Sequence, residues 1–130
     1  MKPFIGIITL WTPKAFVEKK LSRKDVALIA NFYTPGGLET MVRYLVQHPH
    51  VTTLLMLGND LAPLNHQSPK LALQTFFTQG ISKDRTLEGF EKEVYFDKHL
   101  PLEVLHTLSK NIHFIDLTSL SEEYRRSLIS

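Results

Sequence analysis

The sequence predicts an α/β fold in three layers, with helices covering both faces of a mostly parallel sheet. Apolar segments of six or seven residues alternate with amphipathic segments of helical periodicity, a pattern typical of strands joined by crossover helices. The first apolar segment is rich in β-branched residues, and neither of the first two shows polar alternation, as expected for strands buried on both faces. The 130 residues, 43% of them hydrophobic, suit a single domain over residues 1–130 with one core.

Four strands are predicted from these apolar segments. In chain order they are Phe4–Leu10, Val26–Phe32, Thr52–Leu57 and Ile112–Leu117. The order of the strands in the sheet, and the direction of the second strand relative to the first, stay open at this point. A further short strand is predicted within Thr86–Leu87 or Val94–Phe96, in the least regular part of the chain.

The segment after the second strand is predicted to be a helix, because its apolar residues recur at helical spacing. The helix must end just before Pro49, since proline disfavours a helical conformation in the residue that precedes it. The residues that form the apolar face are Leu38, Met41, Val42, Leu45 and Val46.

Other helices are indicated by their first residues. Ser68-Pro69 combines a hydroxyl N-cap with a proline in the first turn of a helix. Pro101 alone opens a further helix, and the hydroxyl of Ser121 caps the last one. Thr12-Pro13 also allows a short helix, although Phe16-Val17 would equally extend an edge strand.

The composition excludes several classes of function. A net charge of +2, from 15 basic and 13 acidic residues, is too small to favour nucleic acid or an anionic membrane as a partner. The chain has no cysteine, which excludes disulfides, thiolate metal sites and cysteine nucleophiles. No segment approaches the ~20 consecutive apolar residues of a membrane span, and we expect a cytoplasmic protein.

The loops after the second and third strands are predicted to share one edge of the sheet and to frame a ligand site, because parallel strands end at the same edge. Gly36 and Gly37 allow backbone amides to approach a ligand at a helix N-terminus, although the same turn would serve simply to start the helix. The loop after the third strand is longer than the ~2–6 residues usual for such connections. The candidate ligand-binding residues are Thr34, Gly36, Gly37, Gly58, Asn59, Asp60 and Ser68.

One residue of the long loop, His66, is a candidate metal ligand, and no catalytic residue is assigned. The glycine turn lacks the Gly-Lys-Ser/Thr of a P-loop and the three spaced glycines of a dinucleotide-binding turn. Three carboxylates would form a site only if the fold brings them to one edge of the sheet; they are those of Asp60, Glu88 and Asp116. Catalysis is therefore left open, and the sequence favours a protein without catalytic activity of its own.

Several short motifs carry a family resemblance. They are Ile7-Ile8-Thr9-Leu10, Gly37-Leu38-Glu39, Val46-x-His-Pro, Leu54-Leu55-Met56-Leu57-Gly58-Asn59 and Phe114-Ile115-Asp116-Leu117. Through these motifs the chain resembles, over nearly its whole length, the cobamide-binding subunit of tetrahydromethanopterin S-methyltransferase and a related domain associated with thymidylate synthases. This resemblance implies a Rossmann-like domain linked to one-carbon, folate or pterin metabolism.

The resemblance also implies a role for the histidine of the long loop. In the cobamide-binding family, a histidine in the loop after the glycine-ended strand holds the cobalt of a corrinoid. The matching loop here is Asp60–Ser68, and its one histidine, His66, stands a few positions from the family's, where Leu64 falls instead. On this resemblance His66 is the expected cobalt ligand and a corrinoid the expected cofactor.

Three functions follow as hypotheses. The first is a small-molecule-binding module for a nucleotide, folate or pterin, without thymidylate synthase catalysis, since that chemistry needs a cysteine thiolate. The second is a corrinoid-binding methyl-transfer protein. The third is a non-catalytic regulatory partner of a thymidylate synthase or of a second copy of this chain, for which an exposed apolar patch of Phe90, Tyr95 and Phe96 is expected.

Overall fold

Four parallel strands form the sheet of the part of the chain that the structure describes. The structure is a computed structural model that describes residues 3–13, 15, 18–19 and 26–119. The strands are β1 (Ile5–Ile8), β2 (Leu28–Ala30), β3 (Thr53–Met56) and β4 (His113–Asp116). All three pairings are parallel, in the order β2-β1-β3-β4. The predicted α/β, Rossmann-like fold is therefore confirmed, and the direction of the second strand is settled as parallel to the first.

The strand order places a switch point at the centre of the sheet. The chain passes from β1 to β2 on one side, and then returns across β1 to add β3 on the other side. Loops that leave two neighbouring strands in opposite directions open a crevice at the carboxyl edge, where open α/β sheets bind ligands. Here the crevice lies beside the loops that follow β1 and β3.

Three described helices join the strands. A single 3-10 turn, Pro35–Gly37, leads directly into α1 (Leu38–Gln47). The second helix, α2 (Pro69–Gln79), has Ser68 as its N-cap, and α3 (Leu102–Asn111) follows Pro101. The predicted starts of all three helices are confirmed, because the capping hydroxyl and the prolines act as their chemistry requires.

The main core lies between one face of the sheet and these helices. It contains side chains of alternate sheet positions, such as Ile8, Leu54 and Met56, together with residues of α1, α2 and α3. The opposite face carries Ile7 and Ile29, both buried, in a smaller cluster. The helices predicted after Pro13 and from Ser121 lie largely outside the described residues.

The segment between α2 and α3 forms no full strand. A single antiparallel bridge joins Thr86 to Tyr95, so the two alternative places predicted for one short strand are paired with each other. Arg85 has a left-handed backbone conformation (φ 66°), and its guanidinium donates hydrogen bonds to the carbonyls of Asp97 (2.8 Å) and Leu100 (2.6 Å). These bonds fold the segment against the core.

The prediction of an exposed apolar patch in this segment is wrong. Phe90 is 4% exposed and Phe96 is fully buried, and both belong to the main core. Only Tyr95 of the three aromatic residues is exposed. Burial of both phenylalanines removes the apolar surface on which the hypothesis of a protein partner depended.

Candidate ligand-binding cleft

An open cleft of about 550 Å³ lies at the carboxyl edge of the sheet. It is bounded by the loops after β1, β2 and β3, together with one residue of the irregular segment before α3. The glycine turn and the long loop therefore share this edge of the sheet as predicted, and Thr34 is the one candidate ligand-binding residue that lines the cleft between them. The lining residues are Trp11, Tyr33, Thr34, Pro35, Ala62, Pro63, His66, Gln67 and Glu93.

The loop after β1 is held in a strained conformation. Leu10 is fully buried and has a left-handed backbone (φ 52°), which is rare for a bulky side chain. The side-chain amide nitrogen of Asn31, at the end of β2, fixes this turn. It lies 2.8 Å from Thr9 Oγ1, 3.0 Å from the Leu10 carbonyl oxygen and 2.6 Å from the Thr12 carbonyl oxygen.

The strained turn presents an aromatic ring to the cleft. Trp11 follows Leu10, is 37% exposed, and contacts Tyr33, which is 46% exposed. The two rings meet edge to face, with their centroids 5.0 Å apart and their planes inclined at 63°. Large aromatic side chains exposed in a cleft offer flat, low-entropy surfaces for a ring-shaped ligand.

The loop after β3 is seated directly on the loop after β1. The Asn59 N–H donates to Thr12 Oγ1 (3.1 Å), and the Asn59 carbonyl accepts from the Trp11 N–H (3.0 Å). Gly58 has a positive φ of 92°, and a Cβ atom there would lie only 2.2 Å from the Thr9 carbonyl oxygen. Only glycine fits this contact, so these two predicted residues fix the position of the cleft wall.

Asp60 and Ser68 close the long loop upon itself. The Ser68 hydroxyl donates to Asp60 Oδ2 (2.5 Å), and Asp60 Oδ1 accepts from the Ala62 N–H (3.0 Å). The same Ser68 oxygen accepts from the Leu71 N–H (3.0 Å) as the N-cap of α2. These predicted polar groups are bonded within the chain, and they hold Ala62 and its neighbours of the loop against the cleft.

The glycine turn contributes Thr34 to the cleft. The Gly37 N–H donates to the Thr34 carbonyl (3.1 Å), so this amide completes the turn. Gly36 is exposed, and a Cβ atom there would be 3.6 Å from the Glu93 carbonyl oxygen. The turn therefore packs beside the backbone of Glu93 and brings that residue to the cleft.

Besides the Tyr33 phenol, the ionisable groups that line the cleft are an imidazole and a carboxylate. His66 Nε2 lies 3.9 Å from Glu93 Oε1, and the two side chains are 54% and 25% exposed. The distance is too long for a hydrogen bond. No other hydrogen bond or ion pair to the Glu93 carboxylate occurs within the described part of the chain, which leaves both of its oxygens available to a ligand.

The acidic residues considered from the sequence do not converge. Asp60 accepts a hydrogen bond from Ser68. Burial raises the pKa of Asp116, but hydrogen bonds from Thr118 and Gln74 outweigh the effect of burial and hold that pKa below its ordinary value. Over residues 3–13, 15, 18–19 and 26–119 there is no group of three or more His, Asp or Glu side chains suited to hold a metal ion.

A second depression, of about 450 Å³, lies at the opposite edge between the ends of α1 and α3. Its walls are largely aliphatic, with Leu45, Val46 and Val104 among them, and Glu103 is its one ionisable side chain among the described residues. It lacks the convergent polar groups that fix a ligand's orientation. The carboxyl-edge cleft is therefore the stronger candidate.

Sequence reasoning missed the residues that give the cleft its chemistry. Trp11 and Tyr33 directly follow the first two strands, so the rule that parallel strands end at one edge already placed them together. Asn31 stands at the end of a strand, where a side-chain amide can bind neighbouring carbonyls. Glu93 carried no such signal, because only the irregular segment before α3 brings it to the cleft.

Comparison with protein-family models gives no match to this chain, and no curated protein matches its sequence. Among the residues that the structure describes, no helix combines the length and apolar character needed to cross a membrane.

Proposed function

We propose that this chain is a small-molecule-binding module whose ligand lies in the carboxyl-edge cleft. The observation that carries the proposal is the convergence of the loops after β1, β2 and β3 on one open cleft of about 550 Å³. Ligand sites typically measure ~300–1,000 Å³ and combine aromatic or apolar walls with a few polar groups. The switch-point position supports the same interpretation.

The metabolic setting belongs to the proposal as well. The resemblance to the domain associated with thymidylate synthases and to the cobamide-binding methyltransferase family favours a nucleotide, folate or pterin. A cytoplasmic setting is part of the proposal. Binding is proposed rather than thymidylate synthase catalysis, since the chain has no cysteine to supply the thiolate.

Calorimetric titration with dUMP, folate, pterin and cobalamin tests this proposal. We expect at least one of them to bind with a dissociation constant below about 1 millimolar, and Tyr33→Ala to weaken that binding about tenfold or more, as loss of a stacking surface predicts. Tyr95→Ala is the matched control, because Tyr95 is exposed to a similar degree and does not line the cleft. Absence of binding by all four compounds at millimolar concentration would contradict the proposal.

A corrinoid-binding protein is the second candidate, and the position of His66 favours it. The imidazole lines the cleft, is more than half exposed, and has the Glu93 carboxylate near one ring nitrogen. An exposed imidazole is a suitable ligand for a transition metal such as cobalt. His66 would hold the corrinoid through its other ring nitrogen.

Reconstitution with cobalamin distinguishes this second candidate. A coloured complex that survives gel filtration, with a spectrum that changes in His66→Ala, would support it. A colourless protein after gel filtration would exclude it. His99→Ala serves as the control, because His99 is 87% exposed and lies outside the cleft.

A protein partner is the remaining alternative. Leu61 and Leu64, in the long loop beside the cleft, are 72% and 75% exposed, which is the kind of apolar surface that a partner covers. Co-purification with a thymidylate synthase, or sedimentation of the chain as a dimer that Leu61→Ser and Leu64→Ser disrupt, would support this alternative.

A further inference from the structure

The ligand class can be inferred from two features of the cleft, if the cleft binds a ligand as proposed above. The first feature is the aromatic pair of Trp11 and Tyr33. Both rings line the cleft and are more than a third exposed, although large aromatic side chains are usually buried. Stacking on such rings is worth ~1–3 kcal/mol per flat heterocycle and does not depend on the identity of the ring.

The second feature is the Glu93 carboxylate. Its side chain is three-quarters buried at the cleft, one of its oxygens lies 3.9 Å from His66 Nε2, and neither oxygen accepts a hydrogen bond from the described residues. An ionised carboxylate is an acceptor only, and its two oxygens accept two parallel N–H bonds from adjacent donors. A partly buried carboxylate in this state favours a ligand that supplies such a pair of donors.

The donor pattern separates the common heterocycles. Guanine presents a ring N–H beside an exocyclic amino group, so two donors face a carboxylate together. Adenine and cytosine present an amino group beside an unprotonated ring nitrogen, and uracil presents its ring N–H between two carbonyl oxygens. A carboxylate would therefore meet an acceptor in each of these three rings. Pterins share the guanine pattern.

The charge of the cleft argues against recognition of a phosphate. No lysine or arginine is among the described residues that line it, and Glu93 repels anions. The ring of the ligand, rather than an anionic tail, must therefore supply the specificity.

We infer that the cleft binds a flat heterocycle with a 2-amino-4-oxopyrimidine edge, as in guanine or a pterin, with the ring stacked on one of the two aromatic side chains, Trp11 or Tyr33, and the two N–H donors bound to Glu93. The ring supplies affinity through stacking, and the carboxylate selects the edge. His66 and Gln67 are the neighbouring groups that can bind the remaining ring atoms.

Fluorescence titration tests this inference directly, because Trp11 is the only tryptophan of the chain. Guanosine is expected to change its emission, and inosine, which lacks only the 2-amino group, is expected to bind at least tenfold more weakly. In Glu93→Gln the preference for guanosine over inosine is expected to fall to within about twofold. Glu88→Gln is the matched control, because Glu88 is exposed and outside the cleft; circular dichroism confirms that both variants fold.

The outcomes separate this inference from the proposed function. Equal binding of guanosine and inosine, or binding of dUMP without binding of guanosine or pterin, would overturn the edge assignment and leave the binding module intact. Absence of binding by every compound would overturn both. Calorimetry with pterin then shows which class of ligand carries the recognised edge. Comparable affinity for pterin and guanosine supports recognition of the shared edge, and a higher affinity for one of them identifies the class of the ligand.

Discussion

Replacement of Gly58 by alanine tests the geometry on which the cleft depends. Gly58 ends β3 and lies against the loop after β1. An added Cβ would be 2.2 Å from the Thr9 carbonyl oxygen, more than 1 Å inside the 3.4 Å at which ordinary contact begins. Thr9 cannot move away cheaply, because it is fully buried and its N–H is bonded to the Ala30 carbonyl at 2.9 Å.

The expected cost has two parts. Gly58 has a φ of 92°, and a left-handed conformation costs an alanine about 1–2 kcal/mol. Steric overlap in a packed region costs about 1–3 kcal/mol more. Gly58→Ala is therefore expected to lower the free energy of unfolding by about 2–5 kcal/mol, which is a large fraction of the stability of a small domain.

Two other glycines separate these parts. Gly89 has a similar φ of 84°, but a Cβ atom there would meet nothing within 4 Å, so Gly89→Ala should cost only the backbone part, about 1–2 kcal/mol. Gly36 lies in a 3-10 turn, and its nearest neighbour would be 3.6 Å away. Gly36→Ala should change the stability by less than about 0.5 kcal/mol.

Urea unfolding of the three variants, followed by circular dichroism, measures these differences. The expected order of destabilisation is Gly58→Ala, then Gly89→Ala, then Gly36→Ala. If Gly58→Ala costs no more than Gly89→Ala, the loops after β1 and β3 are not in contact as described, and the cleft between them loses its support.

Three further predictions concern the groups that hold the cleft and the neighbouring strand end. Asn31→Ala should lower the free energy of unfolding by about 1–3 kcal/mol, since three oxygen atoms lose their donor; a loss below about 0.5 kcal/mol in urea unfolding would show that the turn does not depend on this amide. Ser68→Ala should cost about 1 kcal/mol, because it removes the N-cap of α2, and an unchanged urea midpoint would contradict this. The pKa of Asp116 is lowered in the folded protein, so its ionised form stabilises the fold above the ordinary pKa of ~3.9. This stabilisation is lost as the pH falls through the lowered pKa of the folded protein. Thr118→Val should therefore destabilise the chain at pH 7, by a margin that shrinks in acid unfolding experiments.

The alternation of apolar and amphipathic segments was enough to predict the fold. Each described strand lies within its predicted segment, and each described helix begins at its predicted start. The second strand is the most shortened, to Leu28–Ala30, because Asn31 turns its side chain to the loop after β1. Apolar character predicts that a strand is buried, whereas its ends depend on hydrogen bonds between segments distant in the sequence.

The site was predictable only in part, for a related reason. The sheet edge and the two loops follow from strand direction, so Thr34 was placed correctly at the cleft. Which side chains face the cleft depends on how each loop closes. Asp60 and Ser68 bind one another, which is a matter of loop geometry that spacing does not reveal. Glu93 comes from a segment without periodicity, and its position follows from packing against Gly36.

In the loop after β1, the exposure of Trp11 supports the proposed binding role. A left-handed Leu10 costs about 1–2 kcal/mol, and the exposure of Trp11 gives up part of the stabilisation that burial of an aromatic ring provides. Hydrogen bonds from Asn31 offset this strain but do not require the tryptophan to be exposed. Burial of the Leu10 side chain in the main core accounts for a leucine at residue 10 in spite of the strain, whereas a turn selected for stability alone would place a polar residue at residue 11. Local strain that holds an aromatic ring at the rim of a cleft is typical of a site arranged for a ligand.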